Sequence, residues 1–396
     1  MAGVAVTVLA LAELGSHAQA QTFNETLQGA LDNQCQGLRG PKTGNLETIC
    51  KPLPGPGPVS GASSSGSSIA SQTMRQQDMD QRRIQLRLEE QREGRAEGGV
   101  RAASADPGSQ SGKLGLFATA EGEWVDKDVT RFEPGFSSSS VGGIVGADYR
   151  VLPWLTTGLA FSYLNTDGHF FQASGGHFST DTFGFTLYAG ATPLPNLFVD
   201  GTVGYTLREY EIVRRAIFSA PGVGVNGLTR GNTTGNEFRT SVQVGYDFPL
   251  RALTVGPRFG VNYSNNDINS FNETGVTGLE LVYNGQHRES VTTTLGAFLS
   301  YAISTSIGVF VPQVTSEWVH EFLDNQRVIY FHFRQDVGQT KLRFQTDAPD
   351  RDYFNLGGGV VLVLPKAVSV FLNYRAMVGY SNRETQTVTG GIRVNF

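Results

Sequence analysis

A chain of 396 residues that carries a net charge of −5 and is only 39% hydrophobic, with no run of about eighteen consecutive apolar residues, is not a helical membrane protein. No cluster of Lys and Arg interleaved with aromatic residues occurs, which argues against nucleic acid as a partner. The mild acidity selects no other class of partner.

Residues 2–12 form a short apolar run, and Ala18-Gln19-Ala20 follows with the small-residue pattern that signal peptidase reads. A secretory signal over residues 1–20 is therefore expected. No Lys or Arg precedes the apolar run, which points either to a truncated start or to a frayed Ala-rich helix instead. Residues 21–68 follow as a short segment that contains both cysteines of the chain, Cys35 and Cys50. An even pair in a small exported segment reads as one disulfide, worth about 3 kcal/mol of loop entropy. With no histidine nearby, the two thiols make no zinc site, and no cofactor is implied.

From Lys51 to Ser68 the composition turns to Pro, Gly and Ser, a linker that packs no core. Residues 69–99 then hold a stretch of strong helix formers, Met74 to Glu93, stopped by Gly94, Gly98 and Gly99. Such a helix, polar nearly all round and about 30 Å long, suits either a polar lumen or an exposed spacer. The composition leaves both open.

Residues 112–396 change character again. Segment after segment alternates apolar with polar or small residues, the period of a strand whose two faces meet different surroundings. Val242, Val244, Tyr246 and Phe248 oppose Ser241, Gln243, Gly245 and Asp247. Leu295, Ala297, Leu299 and Tyr301 oppose Thr294, Gly296, Phe298 and Ser300, and Val370, Leu372 and Tyr374 oppose Phe371, Asn373 and Arg375. The last strand sets Val388, Gly390, Ile392, Val394 and Phe396 against Thr389, Gly391, Arg393 and Asn395.

Connections alternate in length. Leu152-Pro153-Trp154, Pro193-Leu194-Pro195-Asn196, Phe248-Pro249-Leu250-Arg251, Ser304-Thr305-Ser306 and Pro365-Lys366 are short turns. The intervening connections, near residues 125–137, 165–176, 214–235, 267–288 and 323–350, are long and polar, with Asn382-Arg383 a tight exception. About twelve antiparallel strands between Lys113 and Phe396, with short turns at one end and long loops at the other, predict an all-β, 12-stranded transmembrane β-barrel. A soluble sandwich of alternating strands gives no reason for that alternation of loop length. Tyr149, Trp154, Tyr163, Tyr205, Tyr263 and Tyr380 fall near strand ends, where an aromatic girdle sits at the headgroups.

The charges on the more polar face are predicted to line the lumen: Glu121, Glu123, Asp148, Arg150, Asp200, Arg208, Arg239, Asp247, Arg258, Glu317, Arg375 and Arg393. They form a solvated, mutually paired wall, or contact the linker helix and a passing polypeptide. His169, His177, His287, His320 and His332 lie in or beside the expected loops, and no spacing selects a third metal ligand. No Gly-x-Ser-x-Gly elbow, phosphate-cradling loop or dinucleotide fingerprint occurs, so no catalytic residues are assigned. Gly357-Gly358-Gly359 reads as a point of curvature in a strand.

A signal, an N-terminal segment, a polar helix and a barrel ending in Phe together resemble the translocator unit of monomeric type V autotransporters. The resemblance rests on Gly142 to Asp167 (GGIVGADYRVLPWLTTGLAFSYLNTD), Pro195 to Glu211 (PNLFVDGTVGYTLREYE), Val311 to Phe322 (VPQVTSEWVHEF) and the terminal GGIRVNF. It implies a monomer in the outer membrane of a Gram-negative bacterium, in contact with outer-membrane lipid and periplasmic chaperones. It also implies insertion by the barrel assembly machinery, which reads the C-terminal strand through Val388, Ile392, Val394 and Phe396, and export of an upstream passenger through the lumen. Family passengers are long β-helices, whereas residues 21–68 hold no repeat. Nor does residues 71–111 supply the asparagine that some members cyclise to release their passenger. The passenger is then a disulfide-closed miniature, or the barrel stands alone as an adhesin or narrow pore.

Overall fold

The computed structural model describes residues 59–60, 113–171, 176–220, 223–365 and 367–396. The expected signal, the Cys35 and Cys50 pair and the helix from Met74 to Glu93 lie outside the described residues. Twelve long strands form the body: β1 (Leu114–Lys127), β2 (Phe136–Leu152), β3 (Leu155–Phe170), β4 (Gly176–Leu194), β5 (Leu197–Ala220), β6 (Val223–Tyr246), β7 (Leu253–Ile268), β8 (Gln286–Tyr301), β9 (Val309–Glu321), β10 (Asp352–Leu364), β11 (Val368–Val378) and β12 (Arg383–Asn395). Each pairs antiparallel with its neighbours in sequence. β12 then pairs with β1, from Arg383 opposite Lys127 to Asn395 opposite Gly115, and the sheet closes without an edge. At the seam the Phe396 amide donates to the Leu114 carbonyl at 2.8 Å.

Both ends of the barrel chain, Leu114 and Phe396, therefore lie at one rim, the turn end. There the connections fall at the expected turns, and Asn196, Arg251 and Ala367 take positive φ values of 65°, 61° and 55° to make them. The opposite rim, the loop end, departs from the sequence reading. The expected loop over residues 214–235 is a hairpin instead: β5 and β6 stay in register from Leu197 opposite Tyr246 to Ala220 opposite Val223. Above the membrane no lipid selects an apolar face, so a polar, Gly- and Asn-containing strand passes for a loop. In the same way β3 and β4 pair out to His169 opposite His177, shortening the expected connection there. The loops after β7 and β9 contain further strands, Phe271–Thr274, Leu281–Tyr283, Val328–Phe333 and Leu342–Gln345.

Side chains sort by face as hydrocarbon outside and water inside demand. Outward stand Trp124, Val141, Leu159, Phe185, Leu187, Val242, Leu295, Val314, Leu372 and Ile392, while the buried inward set is mainly Ser, Thr, Asn, Gln and charged residues. Tyr149, Trp154, Tyr163 and Tyr205 are exposed on the outer wall, as a girdle requires. Tyr380 is not part of it: its ring packs edge-on against Tyr353, and its hydroxyl accepts from the Asp350 amide at 3.2 Å. Close packing also explains inward glycines. A Cβ on Gly158 would sit 2.2 Å from the Tyr188 ring, and one on Gly146 would sit 2.4 Å from the Phe117 ring, so aromatic rings cover the bare backbone.

Candidate functional site: the lumen and its loop cap

Every charged residue assigned to the lumen from sequence points inward. Glu121, Glu123, Asp148, Asp200, Arg208, Arg239, Arg258, Glu317 and Arg393 are buried, and Arg150, Asp247 and Arg375 are partly so. Among them the fold brings together two pairs: Arg258 donates to Asp247 at 2.6 Å, and Arg375 donates to Glu317 at 3.2 Å. Arg258 also lies over the Phe198 ring, 4.5 Å from its centroid. Five others meet partners the sequence did not single out. Thr389 donates to Glu121 at 3.0 Å, Tyr188 to Asp148 at 3.2 Å, Arg239 to Thr186 at 3.2 Å, and Arg208 to Glu237. Arg393 turns to Asn395 at 2.8 Å.

Nearer the loop end the wall gives way to a second core. The strands inside the two long loops join into one small sheet: Phe271–Thr274 pairs with β6, then with Leu281–Tyr283, which pairs with Val328–Phe333, which pairs with Leu342–Gln345. One face of this sheet contributes Phe271, Leu281, Tyr283, Ile329, Phe331, Phe333 and Phe344 to a buried cluster with Phe136, Phe170, Phe178, Tyr210, Ile212 and Ile268 from the barrel strands. Leu281, Tyr283 and Phe333 are fully buried (0% exposed). The loops thus fold over the mouth as a cap with an interior of its own.

Buried ion pairs fasten the cap to the wall. Arg214 of β5 grips Glu273 with two nitrogens and donates to the Leu279 carbonyl at 2.9 Å, and Glu273 also accepts the Leu281 amide at 3.0 Å. Glu280 closes its own loop by accepting the Thr277 amide and hydroxyl and the Gly278 amide. Across the mouth, Lys127 at the top of β1 reaches Asp347 at 2.7 Å and Glu133 at 3.1 Å. Asp350 accepts the Ser381 amide, which ties the same loop to the β11–β12 connection. Arg327 is half-buried in the same loop, and desolvation together with the nearby Arg288 pushes its pKa down to about 9, so it still carries its charge at neutral pH. None of Lys127, Glu133, Arg214, Glu273, Arg327 and Asp347 was singled out from sequence, because each lies in or beside a segment that reads as loop.

Among the described residues the histidines build no catalytic constellation. His169 and His177 face each other across β3 and β4 on the exposed side, His287 pairs with Asp267 at 2.7 Å, and His320 pairs with Asp352 at 2.8 Å. Among the described residues no three His, Cys, Asp or Glu side chains gather as metal ligands.

A closed antiparallel barrel with an apolar outer belt and a charged lumen is the architecture of an outer-membrane protein. Residues 116–375 match the autotransporter beta-domain family, and the chain belongs to that family. The fold is similar to the translocator domain of the autotransporter NalP from Neisseria meningitidis, with a TM-score of 0.57 at 14% identity, over 79% of this chain and 98% of that one. In sequence it is 24% identical over 266 residues to outer membrane protein A of Rickettsia conorii and equally to that of Rickettsia rickettsii. These matches cover 66% of this chain but 13% and 12% of the two relatives, so the chain spans about an eighth of their length. Family and fold place the protein in the outer membrane of a Gram-negative bacterium, in a family of translocator barrels rather than enzymes.

Proposed function

We propose that this barrel exports its own short N-terminal segment, residues 21–68, and anchors it at the cell surface. The observation that carries the reading is the position of Val59–Ser60, which pairs with β5 at Phe218 and Ile217, at the loop end. β1 begins at the turn end, so Val59–Ser60 and the start of β1 lie at opposite rims. The charged lumen is the water-lined route between them, and Glu121, Asp148, Arg150, Asp200, Arg208, Arg239, Asp247, Arg258, Glu317, Arg375 and Arg393 are the side chains a passing polypeptide meets. Passage belongs to a stage before the cap has folded. Insertion depends on the barrel assembly machinery and periplasmic chaperones reading the outward face of β12, where Val388, Ile392 and Val394 lead to Phe396, which is 63% exposed. The finished barrel works as a monomer in outer-membrane lipid. An epitope placed after Gln21 is then labelled on intact cells.

A second reading, a stand-alone barrel acting through its loops as an adhesin, is favoured by the ordered cap itself, which presents a folded surface rather than loose loops. Failure to label that epitope on intact cells, with labelling after the outer membrane is opened, selects this second reading.

A further inference from the structure

The inner wall below the cap gathers hydrogen-bonding groups that find no partner among the described residues. β7 and β8 set Asn266 directly opposite Arg288, with Gln286 two residues further along the same face of β8. Asn266 is 1% exposed and Arg288 7%. Both side-chain polar atoms of Asn266, both of Gln286 and Nη1 of Arg288 are enclosed without a hydrogen bond. From β12, Arg383 enters the same region, 6% exposed. Its guanidinium lies over the Tyr380 ring, 5.4 Å from the centroid, and its Nε is unpartnered too. Arg288 and Arg383 lie within electrostatic reach of each other, and Arg327 of the cap loop lies within reach of Arg288.

Cations held close together in a shielded place are costly unless anions answer them. The carboxylates of the neighbourhood are engaged elsewhere. Glu321 accepts from the Ser290 hydroxyl and from the Val291 and Leu323 amides, and Glu133 and Asp347 both hold Lys127. Among the described residues neither Arg288 nor Arg383 forms an ion pair. Buried polar groups are nearly always satisfied in a folded protein, so exceptions that cluster on one patch of wall call for a ligand.

We propose that Asn266, Gln286, Arg288 and Arg383 form an oxyanion site beneath the cap, which takes an anion of the phosphate class and ties the cap loop to the wall through Arg327. Guanidinium groups match the oxygens of such an anion in geometry and in charge. The amide nitrogens of Asn266 and Gln286 add neutral donors, and their carbonyl oxygens accept the hydroxyl of a monohydrogen phosphate. An ionised carboxylate has no hydroxyl to offer, so the mixed set of donors and acceptors favours phosphate. The link to the cap follows from charge. Arg327 and Arg288 repel each other where the cap loop meets the wall, and a dianion shared between them turns that repulsion into attraction. An anion that binds the closed cap better than the open one stabilises closure by mass action.

The test is calorimetric titration of the purified full chain in detergent with inorganic phosphate, at an ionic strength held constant with sodium chloride. Saturable binding is expected, weakened about tenfold or more by Arg288→Gln and by Arg383→Gln, as loss of a charged hydrogen bond implies. Arg343→Gln, which changes an exposed residue of the cap outside the site, should leave binding unchanged. Heat-modifiable gel mobility shows that each variant has folded. Asn266→Asp supplies Arg288 with a carboxylate across the ladder and should abolish binding, and it serves where Arg288→Gln fails to assemble. Saturating phosphate should also slow proteolysis of the loop over residues 322–351 several-fold in the parent chain and not in Arg288→Gln. Absence of saturable binding, or equal binding by every variant, overturns the site. Binding without slower cleavage overturns the tie through Arg327.

Discussion

The cap makes the electrical behaviour of the barrel a test of the fold. Phe333 lies at the centre of the cap cluster, fully enclosed, and Phe→Ala at such a site costs about 3 to 5 kcal/mol. Barrel strands are held by closed ladders, whereas the cap is a local unit of short strands that can open by itself. The loss therefore falls on the closed cap, and at about 1.4 kcal/mol per tenfold it raises the open fraction by about a hundredfold to a few thousandfold. If the expected Met74–Glu93 helix, about 10 to 12 Å wide, threads the lumen of the twelve-stranded barrel, it and the cap are barriers in series. In a planar bilayer, deletion of residues 21–99 alone should thus leave conductance low, and Phe333→Ala in that background should raise it markedly. Both proteins should keep the heat-modifiable gel mobility of a closed barrel. High conductance from the deletion alone, or unchanged conductance on adding Phe333→Ala, refutes the claim that the cap seals the mouth.

Glu273→Gln leaves the buried Arg214 charge without its carboxylate and should weaken the cap by about 3 to 5 kcal/mol, whereas Arg214→Met with Glu273→Leu recovers most of that loss; limited proteolysis of the loop over residues 322–351 reads both. Burial lowers the pKa of His332, with Asp336 partly opposing it, so the open cap binds the proton more readily than the closed one. Cap stability is then complete above the ordinary histidine value of about 6.5 and falls as pH drops through the lower folded value. The same loop should be cleaved faster at about pH 5.5 than at about pH 7.5, and His332→Gln should narrow the difference. Deleting Phe396, or replacing it with Asp, should reduce membrane insertion far more than Asn395→Ala does, because a charge on the lipid face costs up to about 2 to 4 kcal/mol and Asn395 faces the lumen. Cys35 and Cys50 should be bonded in exported protein and free after expression in reducing cytoplasm, as mass mapping without reductant will show.

Within the bilayer the sequence is easy to read because two solvents impose a period of two. Glu121 and Glu123 alternate with Ala120, Gly122 and Trp124 for that reason, and the same constraint assigned Asp200, Arg258 and Arg393 to the lumen. Above the bilayer the constraint ends, so β5 and β6 beyond Arg214 look like loop although their ladder is unbroken. The cap was illegible for a different reason. Phe271 and Tyr283 stack at 4.8 Å within one loop, but Phe331 and Phe344 come from another, and only the tertiary fold joins them. One local signal was available: Ile329, Phe331 and Phe333 alternate within a stretch otherwise read as loop. Arg214 and Glu273 carry no such signal, since their spacing in sequence follows no secondary-structure period.

The seam between β1 and β12 sets the order in which the molecule can come together. Neighbouring strands are joined by a few residues or, after β7 and β9, by the cap loops, but the hydrogen bond between Thr389 and Glu121 joins side chains 268 positions apart. Closing a flexible loop of that length costs about 5 kcal/mol of chain entropy, and contacts of high sequence separation form late. Eleven inner ladders can form while β1 and β12 still present bare backbone that hydrocarbon cannot hydrate. The final contact is also the one that removes both edges together, so the pairing of β12 with β1 decides when the whole sheet becomes fit for the membrane.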